Sequence, residues 1–229
     1  MSFEAVMPPY GATDPNARFL SASSLDFLLI ELVPMAYRVT NQLEEDVIAA
    51  AAAAADTTTA PSVEDGTIQS QGAKNVQPGP ASSSRKMDEE EEKDAVFFRL
   101  EGLGYRVGQG LVERFSRDRP RFNDTLDVIK FLCKDLWTLV FRKQVDNLKT
   151  NHRGVYVLTD NAFRPFSRMS AEMGGQAVLR AQPFLWFPCG IVRGALAAMG
   201  IQATVQAESS ELPGAVFQIK TISGAGKAA

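Results

Sequence analysis

The chain has 229 residues, 45% of them hydrophobic, which is enough for one large or two small domains with a substantial core. Its two cysteines and single histidine are too few for a four-ligand zinc site or a disulfide framework, and they favour a reducing compartment. The charge is unevenly spread, because residues 44–95 hold 12 acidic and 4 basic side chains while the remainder holds 15 acidic and 20 basic. This mildly basic remainder suits an acidic protein partner or an anionic membrane surface, and it is too weakly charged to indicate a nucleic-acid-binding protein.

The N-terminal part of the chain predicts a flexible arm followed by a helix. Residues 1–20 are interrupted by prolines and lack the basic segment and apolar run that mark a secretory signal. After this arm, apolar residues recur every three or four positions, as in an amphipathic helix, and Leu25, Leu28 and Leu32 lie on its apolar face. Pro34 lies inside the pattern and predicts a kink, with two separate helices as the alternative.

The next stretch, residues 46–95, has the composition of a disordered insertion. It contains seven consecutive alanines, a run rich in proline, glycine and serine, and the acidic block Asp88–Glu92. Such a composition cannot bury enough apolar surface to offset the entropy lost on ordering. The alanines can extend the first helix, because alanine has the highest helix propensity.

Residues 96–118 predict a second amphipathic helix that contains four glycines. The start Gly102-x-Gly104 resembles a dinucleotide-binding fingerprint, but a preceding strand and a correctly spaced third glycine are both missing. The spacing Gly104-x-x-x-Gly108 instead predicts a groove of small residues where another helix crosses closely. Such a crossing would offset the cost of about 1 kcal/mol for each glycine in a helix.

The central stretch, residues 125–141, predicts a helix that is apolar on most of its circumference and must therefore be covered on most sides. The β-branched run 155–158 predicts a strand, and residues 145–150 are either its hairpin partner or an extension of the helix. His152 lies in the turn between them and is interpreted as a solvated structural residue.

The C-terminal third predicts one slim helix and two strands. Residues 163–182 connect the elements with at most one short helix, and a helix rich in glycine and alanine then runs from Pro188 to Gly200. Residues 201–207 and 215–222 predict the strands. The whole pattern indicates an α+β fold in which about four helices pack on a four-stranded antiparallel sheet.

Motifs for catalysis are missing from the sequence. We find neither a phosphate-binding loop nor a nucleophile elbow, and we expect no enzyme, cofactor or metal site. Asp127 and Asp135 are two helical turns apart. This separation favours roles in capping or salt bridges over acid–base chemistry. Cys133 is expected to be inert packing, and Cys189 is at a helix start that can lower a thiol pKa, although its apolar neighbours favour burial.

Three blocks of the sequence resemble the small subunits of the transport protein particle (TRAPP), and most closely its component-six, or 33-kilodalton-class, branch. These blocks are LEGLGYRVGQGLVERF (100–115), the stretch 126–163 with its F-L-C-K-D-L-W and T-N-H-x-G-x-Y-V-L runs, and CGIVRGALAAMGI (189–201). The acidic insertion is not part of the family pattern.

The resemblance implies the TRAPP small-subunit fold and a scaffold subunit without catalytic residues. It implies a heterodimer with another small subunit, contacts with larger subunits, and an indirect role with a Rab GTPase. The location implied is cytoplasmic, peripheral on cis-Golgi and ER–Golgi membranes. Two helices would supply the dimer interface, through Leu25, Leu28, Leu32, Leu103, Gly104, Val107, Gly108 and Leu111.

A related subunit carries an acyl chain on a cysteine just before the central helix. Here that position reads Arg119-Pro120-Arg121-Phe122 and has no cysteine, so we expect no lipid attachment. An alternative function is a module of the same fold that binds an acyl chain or another apolar ligand between the central helix and the sheet.

We assign residues 21–45 and 96–222 to one domain and residues 46–95 to a disordered insertion. Residues 1–20 and 223–229 are expected to be a flexible arm and tail.

Overall fold

The computed structural model describes residues 21–56, 87–151, 153–169 and 176–222. The predicted arm (1–20), the tail (223–229), the middle of the predicted insertion and His152 lie outside the described residues.

The first two helices are longer than the sequence predicted. Helix α1 spans Ala22–Asp56 and continues through Pro34 as one helix, and α2 spans Glu89–Phe115. Both helices enter the range 46–95, so the predicted insertion is narrower than expected at each end. The alanines extend α1, as their propensity allows.

The start of α2 is stabilised by a capping box. The Asp88 carboxylate accepts hydrogen bonds from the amides of Glu90 (3.1 Å) and Glu91 (2.9 Å). The Glu91 carboxylate in turn accepts from the Asp88 amide at 3.3 Å. Because these bonds satisfy otherwise unpaired donors, the acidic block is the first turn of a helix. Its negative charge also faces the positive end of the helix dipole.

The predicted central helix is present and contains a π-helical segment that the sequence did not predict. It consists of α3 (Thr125–Phe131), the π segment Leu132–Leu136 and α4 (Trp137–Phe141). Asp124 caps its N-terminus by accepting from the Asp127 amide at 2.7 Å. Within the π segment, the carbonyl of Cys133 accepts from the amide of Val145 at 3.1 Å, which ties the helix to the chain that enters the sheet.

The four strands form one antiparallel sheet in the order β1-β2-β4-β3. Their bounds are β1 Asn147–Thr150, β2 Val155–Asp160, β3 Ala203–Glu208 and β4 Ala215–Thr221. The predicted hairpin is confirmed, since Leu148 pairs with Leu158 and Thr150 with Tyr156. Residues 145–150 therefore do not extend the central helix.

The connection from the sheet to the last helix contains more structure than one short helix. It includes a 3-10 turn at Arg164–Phe166, helix α5 at Gln176–Ala181 and a second 3-10 turn at Gln182–Leu185. Helix α6 follows at Trp186–Ala198. Gly200 has a φ of 81°, so the predicted left-handed end of this helix is confirmed.

The buried apolar residues form two clusters. In the larger one the central helix packs against the sheet and α6, and Trp137 contacts the rings of Phe163 and Phe217 at 6.2 and 5.1 Å between centroids. The smaller cluster joins α1 to α2 and α6, through Leu29, Leu32, Val33, Ala36, Val96, Leu100, Phe187 and Ile191. Helix α1 is therefore an outer layer that shields one side of α2.

Candidate functional site: the outer face of helices α1 and α2

Several titratable side chains of the described residues are engaged in structural contacts rather than arranged as a reactive site. Burial raises the pKa of both the Cys133 and the Cys189 thiols to about 12. The position of Cys189 at a helix start therefore does not activate it. Within the part of the chain that the structure describes, no group of three or more histidine, cysteine or acidic side chains could hold a metal ion.

The two carboxylates of the central helix make salt bridges, as predicted. Asp127 pairs with Lys130 at 3.4 Å, and Asp135 pairs with Arg119 at 2.5 Å. The guanidinium of Arg119 also lies 4.9 Å from the centre of the Phe131 ring. The contacts of Arg119 hold the loop before the central helix against the helix.

A buried carboxylate, Asp160, was not singled out from the sequence. It accepts from the indole nitrogen of Trp137 (2.8 Å), from Lys143 Nζ (2.7 Å) and from the Ala162 amide (3.1 Å). Three donors satisfy the buried charge, so this group joins the central helix to the end of β2 rather than forming a reactive site. The sequence signal that could have identified Asp160 is an aspartate at an inward-facing position of a predicted strand.

A cavity of about 580 Å³ lies at the start of the central helix. Its wall combines apolar side chains such as Val112, Val128 and Ile201 with Arg119 and Arg121. The space between the central helix and the sheet, by contrast, is filled by aromatic rings. A void beside the central helix and α6 measures only about 10 Å³, about the size needed for one water molecule.

Helices α2 and α6 cross with their backbones in direct contact. A Cβ atom at Gly104 would overlap the carbonyl oxygen of Phe187, and one at Gly108 would overlap that of Ile191. The contact is reciprocal, because a Cβ at Gly190 would overlap the carbonyl of Glu101. The predicted close crossing at Gly104 and Gly108 is thus made within the chain.

Side chains reinforce this crossing at its edge. Arg193 of α6 donates two hydrogen bonds to the Glu101 carboxylate, one of them at 2.7 Å from Nη2. The same guanidinium lies 4.4 Å from the centre of the Tyr105 ring. Helices α2 and α6 therefore behave as one packed pair.

The eight residues predicted to bind a partner fall into three groups. Gly104 and Gly108 are buried against α6, and Leu32 of α1 is buried in the cluster with α2 and α6, so these three contact their own chain. The half-buried residues are Leu25, Leu103 and Leu111. Leu28 and Val107 are exposed, with 57% and 38% of their surface accessible.

The outer face of α1 and α2 presents apolar side chains to the surroundings. Helix α1 runs antiparallel to α2, since Glu44 accepts from the Met87 amide and Thr40 accepts from Arg99 at 3.3 Å. Leu28 and Met35 are seven residues apart on one side of α1, and 41% of Met35 is exposed. Met35 was not among the predicted residues, although it continues the spacing of Leu28. We call the residues Leu28, Met35, Leu103 and Val107 the α1–α2 face.

Two further glycines of α2 lie on its outward side. Gly102 and Gly110 are separated by eight residues, and a Cβ at either position would meet no atom within 4 Å. Arg106 lies midway between them and is exposed. The helix therefore carries one pair of glycines against α6 and a second pair on the opposite side.

Comparisons with known proteins place this arrangement in context. A family described as "Transport protein particle (TRAPP) component" matches residues 25–222. The chain is 54% identical to trafficking protein particle complex subunit 6b of Danio rerio over 130 residues, which are 57% of this chain and 82% of that protein. It is 52% identical to subunit 6B of Homo sapiens over 130 residues, covering 57% of this chain and 81% of that protein.

Subunit 6A of Homo sapiens is 51% identical over 120 residues, which are 52% of this chain and 74% of that protein. A solved structure of subunit 3 from Naegleria fowleri, covalently bound to palmitic acid, aligns with a TM-score of 0.48 at 14% identity. The alignment covers 57% of this chain and 82% of that one. Among the described residues, no helix is both long enough and apolar enough to cross a membrane.

Proposed function

Because the chain belongs to the TRAPP component family, in the group of subunits 6A and 6B, we propose that it is a non-catalytic scaffold subunit of a vesicle-tethering complex. In this proposal it forms a heterodimer with another small subunit and contacts larger subunits of the complex. It supports nucleotide exchange on a Rab GTPase indirectly, in traffic between the endoplasmic reticulum and the Golgi. It is cytoplasmic and reaches the membrane only through the complex.

The observation that carries this proposal is the exposed α1–α2 face. Leu28, Met35 and Val107 expose 57%, 41% and 38% of their surfaces. Leu28 and Met35 lie on one side of α1, and exposed apolar side chains grouped in this way mark a surface for a protein partner. The half-buried Leu25, Leu103 and Leu111 complete this interface in our proposal, whereas Gly104, Gly108 and Leu32 support it from beneath.

A pull-down of the tagged full chain from its native cytosol, followed by mass spectrometry, tests the assignment to a complex. We expect TRAPP subunits to be recovered in amounts nearly equal to that of the chain. Recovery of the chain alone under gentle salt conditions would contradict the scaffold role.

The interface itself is tested with Leu28→Asp. A carboxylate in the middle of the apolar face would be desolvated by a partner, so we expect at least a tenfold loss of recovered partner subunit. The matched control is Leu179→Asp on α5, where the leucine is 69% exposed and outside the α1–α2 face. Circular dichroism should show unchanged helical signal in both variants, and full retention of the partner by Leu28→Asp would refute this interface.

A second candidate function, binding of an apolar ligand, is favoured by the cavity at the start of the central helix. Its wall includes Val112, Val128 and Ile201. A native mass spectrum of the purified chain tests this function. A stoichiometric extra mass would support ligand binding, and the bare mass of the chain would argue against it.

A further inference from the structure

Strand β3 is an open edge of the sheet. In the order β1-β2-β4-β3 it pairs with β4 alone. Just before β3, the Ile222 amide donates to the Gln202 carbonyl at 2.7 Å, and hydrogen-bonded pairs alternate along an antiparallel ladder. The amides and carbonyls of Ala203, Val205 and Ala207 therefore point away from β4. Among the residues that the structure describes, no backbone group outside β3 and β4 hydrogen-bonds to them.

The two edges of the sheet are protected unequally. Edge strand β1 has four residues and carries the exposed Lys149, and short, charged edges of this kind resist further pairing. Edge strand β3 has six residues in continuous register with β4, and it contains neither proline nor lysine. The outer edge of β3 can therefore accept a fifth strand.

We propose that the open edge of β3 binds an extended segment of another subunit, which adds to the sheet as a fifth strand. The inference rests on the proposed function, because the multisubunit complex supplies the segment. Ala203, Val205 and Ala207 offer three amides and three carbonyls at this edge. In strand addition, such main-chain hydrogen bonds supply the affinity.

The helix beneath β3 favours a single added strand over a second copy of this chain. The central helix lies under β2 and β4, where Trp137 contacts Asp160 and Phe217, so α6 is the layer under β3. A fifth strand would lie about 4.8 Å from β3, whereas packed helices need about 8–10 Å between their axes. If β3 of a second copy paired here, its α6 would overlap the α6 of the first copy. A segment without such a helix avoids this overlap.

The side chains of β3 indicate the chemistry of the segment that fits. On the uncovered side of the sheet, β3 presents the exposed residues Thr204, Gln206 and Glu208. Within the described part of the chain, the Glu208 carboxylate makes no salt bridge, so a lysine or arginine opposite it would complement its charge. The partner that fits is an extended, proline-free segment of a larger subunit, with polar residues on one side, one of them cationic, and small apolar residues on the side that faces α6.

The test compares two substitutions of Val205 in a pull-down of the tagged full chain from its native cytosol. Val205→Pro removes an amide that does not donate to β4, and proline is tolerated on an edge strand. Because a donor is lost and a ring blocks the edge, we expect the recovery of one larger TRAPP subunit to fall about tenfold or more, while the small-subunit partner is retained. The matched control Val205→Ala keeps the amide and should retain both. Circular dichroism checks that both variants fold.

Hydrogen exchange measures the added bonds directly and does not require Val205→Pro to fold. In the complex purified from its native source, the amides of Val205 and Ala207 should exchange about tenfold or more slowly than in the isolated chain. Equal exchange rates in the complex and the isolated chain, or equal recovery of every larger subunit by Val205→Pro and Val205→Ala, would overturn the inference. The proposed function would still stand in that case if the unmodified chain recovers TRAPP subunits, and recovery of the unmodified chain alone would remove the proposed function itself.

Discussion

At the scale of single residues, two glycines of α2 lie in opposite surroundings. Gly104 faces the carbonyl of Phe187, and no side chain larger than hydrogen fits there. Gly102, two positions earlier, faces open space, so no contact within the chain requires a glycine there. Within one helix, glycine therefore marks a backbone contact at position 104 and an uncovered surface at position 102.

We predict opposite effects for two alanine substitutions in α2. Gly104→Ala forces the crossing with α6 apart and should lower the free energy of unfolding by about 3 kcal/mol. Gly102→Ala removes only the entropic penalty of glycine and should raise it by about 1 kcal/mol. Urea denaturation of both variants measures these changes, and a neutral Gly104→Ala would contradict the backbone contact.

The two thiols give a second prediction at this scale. Because burial raises the pKa of Cys133 and Cys189 to about 12, both thiols are protonated near neutral pH and shielded from reagent. We expect a disulfide reagent such as Ellman's to label the folded protein only as fast as it unfolds. In denaturant both thiols should react rapidly. Rapid labelling of the native protein would contradict this prediction, because it would show that one thiol is accessible.

At the scale of elements, α1 is attached by its apolar stripe and by the ion pairs of Asp26 with Arg164 and Arg168 near its start. Asp26 accepts from Arg164 Nε at 2.8 Å and from Nη2 at 3.1 Å. Its side chain is 12% exposed, so this pair is better shielded than the Arg38–Glu31 pair on the same helix. The hydrogen bond from Arg164 is the main reason that the pKa of Asp26 lies below its ordinary value.

The attachment of α1 should therefore depend on pH. A carboxyl group whose pKa is lowered on folding stabilises the protein above its unfolded pKa of about 3.9 and loses that effect as the pH falls through the folded pKa. We expect Asp26→Asn to lower stability by about 1 to 2 kcal/mol at pH 7. The unfolding midpoints of variant and unmodified chain should converge as the pH falls below the lowered pKa. Glu31→Gln, which removes an exposed pair, should cost little at either pH.

At the scale of the whole molecule, the spacing of apolar, β-branched and glycine residues along the sequence was enough to predict the fold class. The apolar period of the central helix, the β-branched run of β2 and the glycines near α6 predicted helices on an antiparallel sheet, and the structure confirms that fold. These signals are local, so they do not depend on how the elements pack.

Features that depend on packing were missed. The π segment at Leu132–Leu136 has no local signature, because its extra residue is accommodated by contacts such as the one between Cys133 and Val145. The alanine extension of α1 was foreseen, but the early start of α2 was missed because composition was judged over the whole range, while a capping box at Asp88 acts over four residues. For the candidate interface, periodicity predicted an apolar face but could not separate Leu28, which is exposed, from Leu32, which is buried.

The crossing of α2 and α6 also has a consequence for how such a chain can change over generations. Where two backbones touch, a substitution of a neighbouring side chain does not make room, so the four glycines at the crossing (Gly104, Gly108, Gly190 and Gly194) have no neutral alternatives. The outward side of α2 has no such constraint from within the chain. The glycines of α2 that are free to change are therefore those on its outward side. There, a partner's surface is what would restrict the substitutions.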